Sequence, residues 1–311
     1  MSPPVIAILL IAALLHAAWN VLLKTSVDPL RMAARAVGSA MLIVTPLAAA
    51  AWWLTGRPGL PPEGWLLAGL SGFMELVYFA LLSAAYRRGD LSTVYPLARG
   101  TAPLLAVLAG VFLVGERLSP LAAVGVACLL AGIWAVRRPV AGGPAVVWAI
   151  LCGVSIAVYS VFDRLGVRLG PPWLYGWALW VAGAGFLWGW IWLEDRHALS
   201  DRFWRAFEAI RPGSSAAARV APADPPHPAD ASAGPGWQRA MVLGLLMVGT
   251  YLAVLLALSL APLATVAPFR ESAIVLAAGW GVFRLGERSG AWLRLGGAVS
   301  IVAGAALVAI G

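Results

Sequence analysis

Apolar residues run along this chain in blocks of about 20, separated by short polar or Pro/Gly-rich breaks. At a helical rise of about 1.5 Å per residue, such a block spans a hydrocarbon core. The blocks fall at 3–24, 33–54, 64–86, 92–114, 119–136, 144–166, 172–193, 237–259, 264–284 and 289–310, which predicts an all-α integral membrane protein of ten transmembrane helices. Strict alternation of apolar and polar positions, the mark of a membrane barrel, is absent from the sequence. One stretch breaks the rhythm. Between 201 and 211, Phe203, Trp204, Phe207 and Ile210 alternate with charges, a pattern suited to a short helix lying on the bilayer surface. Residues 212–236 are rich in Ala, Pro, Gly and Ser and are expected to lack fixed structure.

The second half of the pattern rewrites the first. Residues 93–117 read TVYPLARGTAPLLAVLAGVFLVGER, and residues 265–288 read TVAPFRESAIVLAAGWGVFRLGER. In the first span, His16, Asn20 and Lys24 align with Ile156, Ser160 and Arg164 in the sixth. Each unit therefore holds five spans, 1–138 and 144–311, with 194–236 inserted in the second. Five is odd, so consecutive units enter the membrane in opposite orientations and form an inverted repeat.

Composition sharpens this picture. Hydrophobic residues make up 61% of the chain and charged ones only 12%, too little polar material to surface a soluble domain. The formal net charge of +8 reads as basic flanks of membrane spans, not as a nucleic-acid interface, and no nucleic-acid partner is expected. Arg57, Arg117, Arg164 and Arg168 fall on the N-terminal side of the membrane. Apart from Arg99 and Arg270, which lie within spans, the other basic residues fall on the opposite side, so the positive-inside rule places the N-terminus outside the cytoplasm. The first block lacks preceding basic residues and reads as a span, not a cleaved signal. Trp52, Trp53, Trp173, Trp188, Trp190 and Trp192 lie near span ends, as an interfacial belt does. Cys128 and Cys152 sit in apolar spans, with neither a disulfide framework nor metal-ligand spacing.

Charges at membrane depth are costly and mark functional candidates. Arg99 and Arg270 lie at similar depths in spans four and nine and share the same spacing to Glu116 and Glu287. Inversion brings them toward the midplane from opposite faces, where paired guanidiniums would clamp a carboxylate, phosphate or phosphonate. Snorkelling and structural pairing with acids are the alternatives. Pro96 and Pro268 precede the arginines and remove backbone donors; the result is either a helix break lining a cavity or a packing kink. Glu75 is central to span three, with Tyr78 on its face, and its counterpart in span eight is Met247 beside Thr250 and Tyr251. It is a proton-coupling carboxylate, a counter-ion to Arg99 or a ligand for an amine. Glu271 is a second cavity acid or an inter-helix partner. His16, Asn20, Tyr159 and Ser160 form polar stripes that suit a cavity wall or helix-to-helix hydrogen bonds. Asp163, at a span end beside Arg164, is expected to form an interfacial pair. The Gly-Glu-Arg triplets at 115–117 and 286–288 are expected at the interface, in a structural role. Gly125 and Gly132, and likewise Gly297 and Gly304, form stripes for close helix approach or a dimer face.

YPLARGTAP at 95–103 with GERLS at 115–119, and ATVAP at 264–268 with GERSG at 286–290, resemble the fourth- and ninth-span signatures of the EamA-like family of the drug/metabolite transporter superfamily. The resemblance covers nearly the whole chain outside 194–236. It implies a basket of two inverted five-helix repeats, with spans one, three, four, six, eight and nine lining a central cavity. It also implies a multi-pass protein of the bacterial plasma (inner) membrane. The implied activity is alternating access, exporting or exchanging metabolites with ion or proton coupling. Family members are commonly drawn with cytoplasmic termini, opposite to the charge tally above. The expected function is secondary transport of a small anionic or zwitterionic metabolite, without a cofactor or metal. Arg99, Arg270, Glu75 and Glu271 would bind it, and Trp19, Asn20, Tyr78, Tyr95, Tyr159 and Tyr251 would shape the pocket. The alternative is a non-transporting sensor or scaffold acting through 194–236. A membrane enzyme is not expected, because it needs clustered acids and histidines and two of the three histidines, His197 and His227, lie in the insertion. Partners are a small metabolite and the lipid bilayer, with the protein a monomer or homodimer.

Overall fold

The structure, a computed structural model, describes residues 1–24, 26, 28–88, 91–137, 145–195, 236–271 and 291–311. Most of the 194–236 insertion, the Gly286-Glu287-Arg288 triplet and the C-terminal part of span nine lie outside the described residues. So do the side chains of Asn20, Lys24, Tyr95, Pro96 and Arg99, although their backbone is helical.

Ten helices are described: α1 Pro3–Lys24, α2 Pro29–Leu54, α3 Pro62–Arg88, α4 Leu91–Phe112, α5 Pro120–Arg137, α6 Ala145–Gly166, α7 Pro172–Asp195, α8 Trp237–Leu260, α9 Leu263–Arg270 and α10 Ala291–Ile310. There is no strand among the described residues. Proline opens α2, α3, α5 and α7, where its missing N–H costs no helical bond and its fixed φ suits the first turn. Helix α2 begins four residues earlier than the apolar run at 33, because Asp28 caps it: Oδ1 accepts the Arg31 N–H at 3.1 Å.

Among the described residues, five helices are long and apolar enough to cross a membrane: Pro29–Leu54, Pro62–Leu82, Val146–Gly166, Pro172–Leu193 and Trp237–Leu260. Pro3–His16, Gly100–Phe112, Pro120–Ala135 and Gly296–Val308 are shorter apolar stretches. The other predicted spans lie partly outside the described residues: α9 is described only to Arg270, and the side chains of α4 are described from Gly100 onward.

Packing is reciprocal. Helix α3 lies along α6 and α7, while α8 lies along α1 and α2; α4 also packs on α6 and on α9. The main core runs through α1, α2, α3, α6, α7 and α8 and includes Leu9, Val37, Phe79, Ile156, Leu179 and Leu255. Helices α5 and α10 stand aside as a pair with their own core of Val126, Leu129, Ile133, Ile301 and Val308. Their glycine stripes face each other. A Cβ on Gly132 would lie 2.5 Å from the Gly297 carbonyl oxygen, and one on Gly304 would lie 2.6 Å from that of Gly125. Both stripes are thus used in packing within the chain. Leu42, Leu47, Trp53, Leu54, Phe112, Leu113 and Trp292 point outward, as lipid-facing side chains do.

Candidate functional site

Five apolar helices and the short α9 enclose a small cavity. Trp19 and His16 reach it from α1, Glu75 and Tyr78 from α3, and Tyr159 from α6. Trp180 comes from α7, Thr250 and Tyr251 from α8, and Arg270 from α9. Its volume is about 30 Å³, room for a water molecule or two. Of the residues singled out in the sequence, Trp19, Glu75, Tyr78, Tyr159, Tyr251 and Arg270 are brought together here.

The wall is aromatic and ordered by edge contacts. Tyr159 lies 6.4 Å from Tyr78 and 6.0 Å from Tyr251, and Tyr251 lies 5.6 Å from Trp180. His16 stacks edge-on against Trp19 at 4.7 Å. This polar lining is also a donor set. The buried Trp180 indole N–H has no hydrogen-bond partner among the described residues. An orphaned buried donor is costly and marks a place where a ligand or water belongs.

Arg270 supplies the positive charge. It is only 7% exposed, and it ends α9, two residues after Pro268. Beyond it the helix tightens: the Glu271 N–H reaches back to the Pro268 and Phe269 carbonyls. The Glu271 carboxylate lies 3.7 Å from the Arg270 Nε, which makes it an ion-pair partner and not part of the cavity lining. Helix α4 runs from Leu91 to Phe112, so its backbone is helical through Pro96.

Two expectations are overturned. Asp163 was expected at the interface, paired with Arg164. Instead it is fully buried, and its partners are hydroxyls: Ser71 Oγ at 2.6 Å, Tyr175 Oη at 3.0 Å, and Tyr251 Oη, all donating to the carboxylate. The reason is helical geometry. Adjacent residues on α6 point about 100° apart, so Asp163 and Arg164 serve different neighbours.

The second correction concerns Gly115-Glu116-Arg117. Glu116 is buried, not interfacial. Its Oε1 accepts the Arg164 Nε–H at 2.7 Å and the Leu263 N–H at 2.8 Å, and its Oε2 accepts the Ala264 N–H at 2.9 Å. One carboxylate from the first half thus caps the first turn of α9 in the second half, where helix N–H groups lack internal partners. Arg164 also donates to the Leu258 carbonyl near the end of α8. Gly110 leaves room for this clasp, since a Cβ there would lie 2.7 Å from the Glu116 Oε2. The clasp fixes the axial position of α9 and so of Arg270.

Sequence reading placed Asp163 and the clasp by their distance from span ends, and missed both. Trp180 was passed over, although its position in the middle of a span, away from the belt, was a usable signal. His16 lay in a stripe for which the cavity wall was one of two readings, and the structure puts it in that wall.

Residues 3–138 match the EamA-like transporter family, part of the drug/metabolite transporter superfamily. A solved protein structure superposes on the chain with a TM-score of 0.63 at 22% identity, covering 100% of this chain and 98% of the other, a likeness of fold. No curated protein matches the chain.

Proposed function

We propose that this chain, whose residues 3–138 belong to the EamA-like transporter family, is a secondary transporter that carries a small anionic or zwitterionic metabolite through the cavity at Arg270. Members of that family are transporters and not enzymes, and the apolar helices make this a multi-pass membrane protein. One observation carries the substrate class: a buried guanidinium, an orphaned indole N–H and three tyrosines line one small cavity. Such a wall offers donors and one positive charge, which suits a carboxylate or phosphate. Glu75, 4% exposed on the same cavity, suits the amine of a zwitterion.

Transport requires that the cavity open to each side in turn. The reciprocal packing, α3 on α6 and α7 as α8 on α1 and α2, supports two five-helix units related by inversion. Rocking one unit against the other would open either end. The duplication also assigns Arg99 a place beside Arg270. Counted from the prolines, Arg270 follows Pro268 by two residues and Arg99 follows Pro96 by three. Arg270 is the principal anchor, and Arg99 assists. The bacterial inner membrane is the location that fits this reading.

The test is uptake of labelled L-glutamate, L-malate and inorganic phosphate into proteoliposomes, paired with thermal stabilisation of the detergent-purified protein by the same anions. Transport that survives intact in both Arg270→Gln and Arg99→Gln overturns the reading.

A further inference from the structure

Among the buried charges of the described residues, Asp163 is set apart by its surroundings. Glu116 is matched by Arg164, and Glu271 by Arg270. Asp163 has no ion-pair partner among the described residues; its carboxylate is held by the hydroxyls of Ser71 on α3, Tyr175 on α7 and Tyr251 on α8. An isolated carboxylate at membrane depth is expensive, and such a group marks a proton or ion pathway by default. Each hydroxyl partner can act as donor or acceptor by rotating one bond. A carboxylate held by three such rotors is satisfied when ionised and still satisfied when protonated, with no movement of backbone.

One of the three partners connects outward. Tyr251 lines the cavity and donates to Asp163 from the same phenol. Tyr175 and Ser71 do not line it. Among the described residues, the other charged or titratable groups lining the cavity are Arg270 on α9, Glu75 and Tyr78 on α3, Tyr159 on α6 and His16 on α1. Of these, Arg270 is within electrostatic reach of Asp163.

We propose that Asp163 carries the coupling proton of this transporter, exchanging it with the cavity through the Tyr251 phenol and linking its protonation to anion binding at Arg270. The inference rests on the transport reading above. In the uptake step a hydronium entering the cavity from the aqueous phase gives a proton to Tyr251 Oη and leaves water, as the phenolic proton passes to Asp163 Oδ2. The phenol is regenerated, and the carboxylate becomes a carboxylic acid. Linkage follows from charge. An anion bound at Arg270 and an ionised Asp163 share one guanidinium field and repel each other. Protonation of Asp163 removes that repulsion, so anion binding draws a proton in and a bound proton favours the anion, by reciprocal amounts. Anion and proton then travel together.

The test has a ligand arm and a ligand-free arm, both on the full-length purified protein. Calorimetric titration with L-glutamate, L-malate and inorganic phosphate, in two buffers of different ionisation enthalpy, counts protons taken up per anion bound. Wild type should take up about one, and Asp163→Asn should bind the anion with none and lose the pH dependence of its affinity. Undiminished proton uptake in Asp163→Asn overturns the proposal. So does a folded Asp163→Asn that binds no anion at any pH, since the carboxylate is then a substrate ligand or a structural strut.

If none of the three anions binds wild type, the anion-transport reading fails there, and infrared difference spectra between acid and alkaline pH still decide the role of Asp163. A protonated-carboxyl band present in wild type and Glu75→Gln, and missing from Asp163→Asn, supports it; persistence of that band in Asp163→Asn overturns it. Should Asp163→Asn fail to fold, Tyr251→Phe serves: it keeps two hydroxyls on the carboxylate and removes the relay. Proton uptake after a pH jump, followed with an indicator dye, should slow by at least tenfold, and an unchanged rate overturns the proposal.

Discussion

The α5–α10 pair and the wall formed by α3, α6, α8 and α9 treat the repeated sequence pattern in opposite ways. In the pair, matching features were kept and set face to face: Gly125 lies against Gly304, and Gly132 against Gly297. Symmetry suits packing, because a stripe of small residues needs a second stripe to meet. In the wall, matching positions diverged. Glu75 stands opposite Met247 in the repeat, and Asp163 has no acidic counterpart in the first span. A binding cavity must distinguish one end of a ligand from the other, and two identical halves supply no such asymmetry. In this chain matched glycines hold the frame, while Glu75 on the cavity and Asp163 beside it stand unmatched.

Substitutions break or sharpen that contrast. The largest effect is expected at the clasp between the halves. Glu116→Ala leaves Arg164 buried without its carboxylate and uncaps α9, a loss of about 3–5 kcal/mol. Thermal denaturation in detergent should show it, and adding Arg164→Met should recover much of the loss. Next comes Arg270→Gln, expected to cut anion affinity about 30-fold, or about 2 kcal/mol, and to lower the melting temperature as well, since it removes the buried ion pair with Glu271. Isothermal titration with the tightest of the anion probes measures it.

In the frame the pattern should reverse. Gly304→Val forces side-chain atoms onto the Gly125 carbonyl and should destabilise by about 1–3 kcal/mol, while the protein that remains folded binds anions normally. Trp180→Phe removes a donor that has no protein partner, so it should weaken anion binding about fivefold, or ~1 kcal/mol, and hardly move the melting temperature. Deleting residues 212–236 should leave transport unchanged; a loss of transport would favour a scaffold acting through that segment.

Much of this site was legible before any fold was known, for a reason that also marks the limit. A charge inside an apolar block stands out, because water is far and the cost is high. Arg270 and Glu75 were visible that way, and both line the cavity. Asp163 and Glu116 were not, because each lies near the end of an apolar block, where a charge looks solvated. Depth along one helix does not report depth within a bundle: neighbouring helices extend past those ends and bury them. Trp180 was hidden differently, among so many tryptophans near span ends that one in mid-span drew no notice.

The sequence alone determined the helical segments, the internal repetition of its motifs and the presence of costly charges in the apolar blocks, since each follows from local composition and spacing. Only the tertiary structure decided which sides of those helices turn inward. Lipid tails and neighbouring helices are about equally apolar, so a helix such as α3 or α7 carries no clear stripe to say which side meets which. Contact geometry settles that choice, and with it the pairing of Glu116 with α9 and of Asp163 with three hydroxyls.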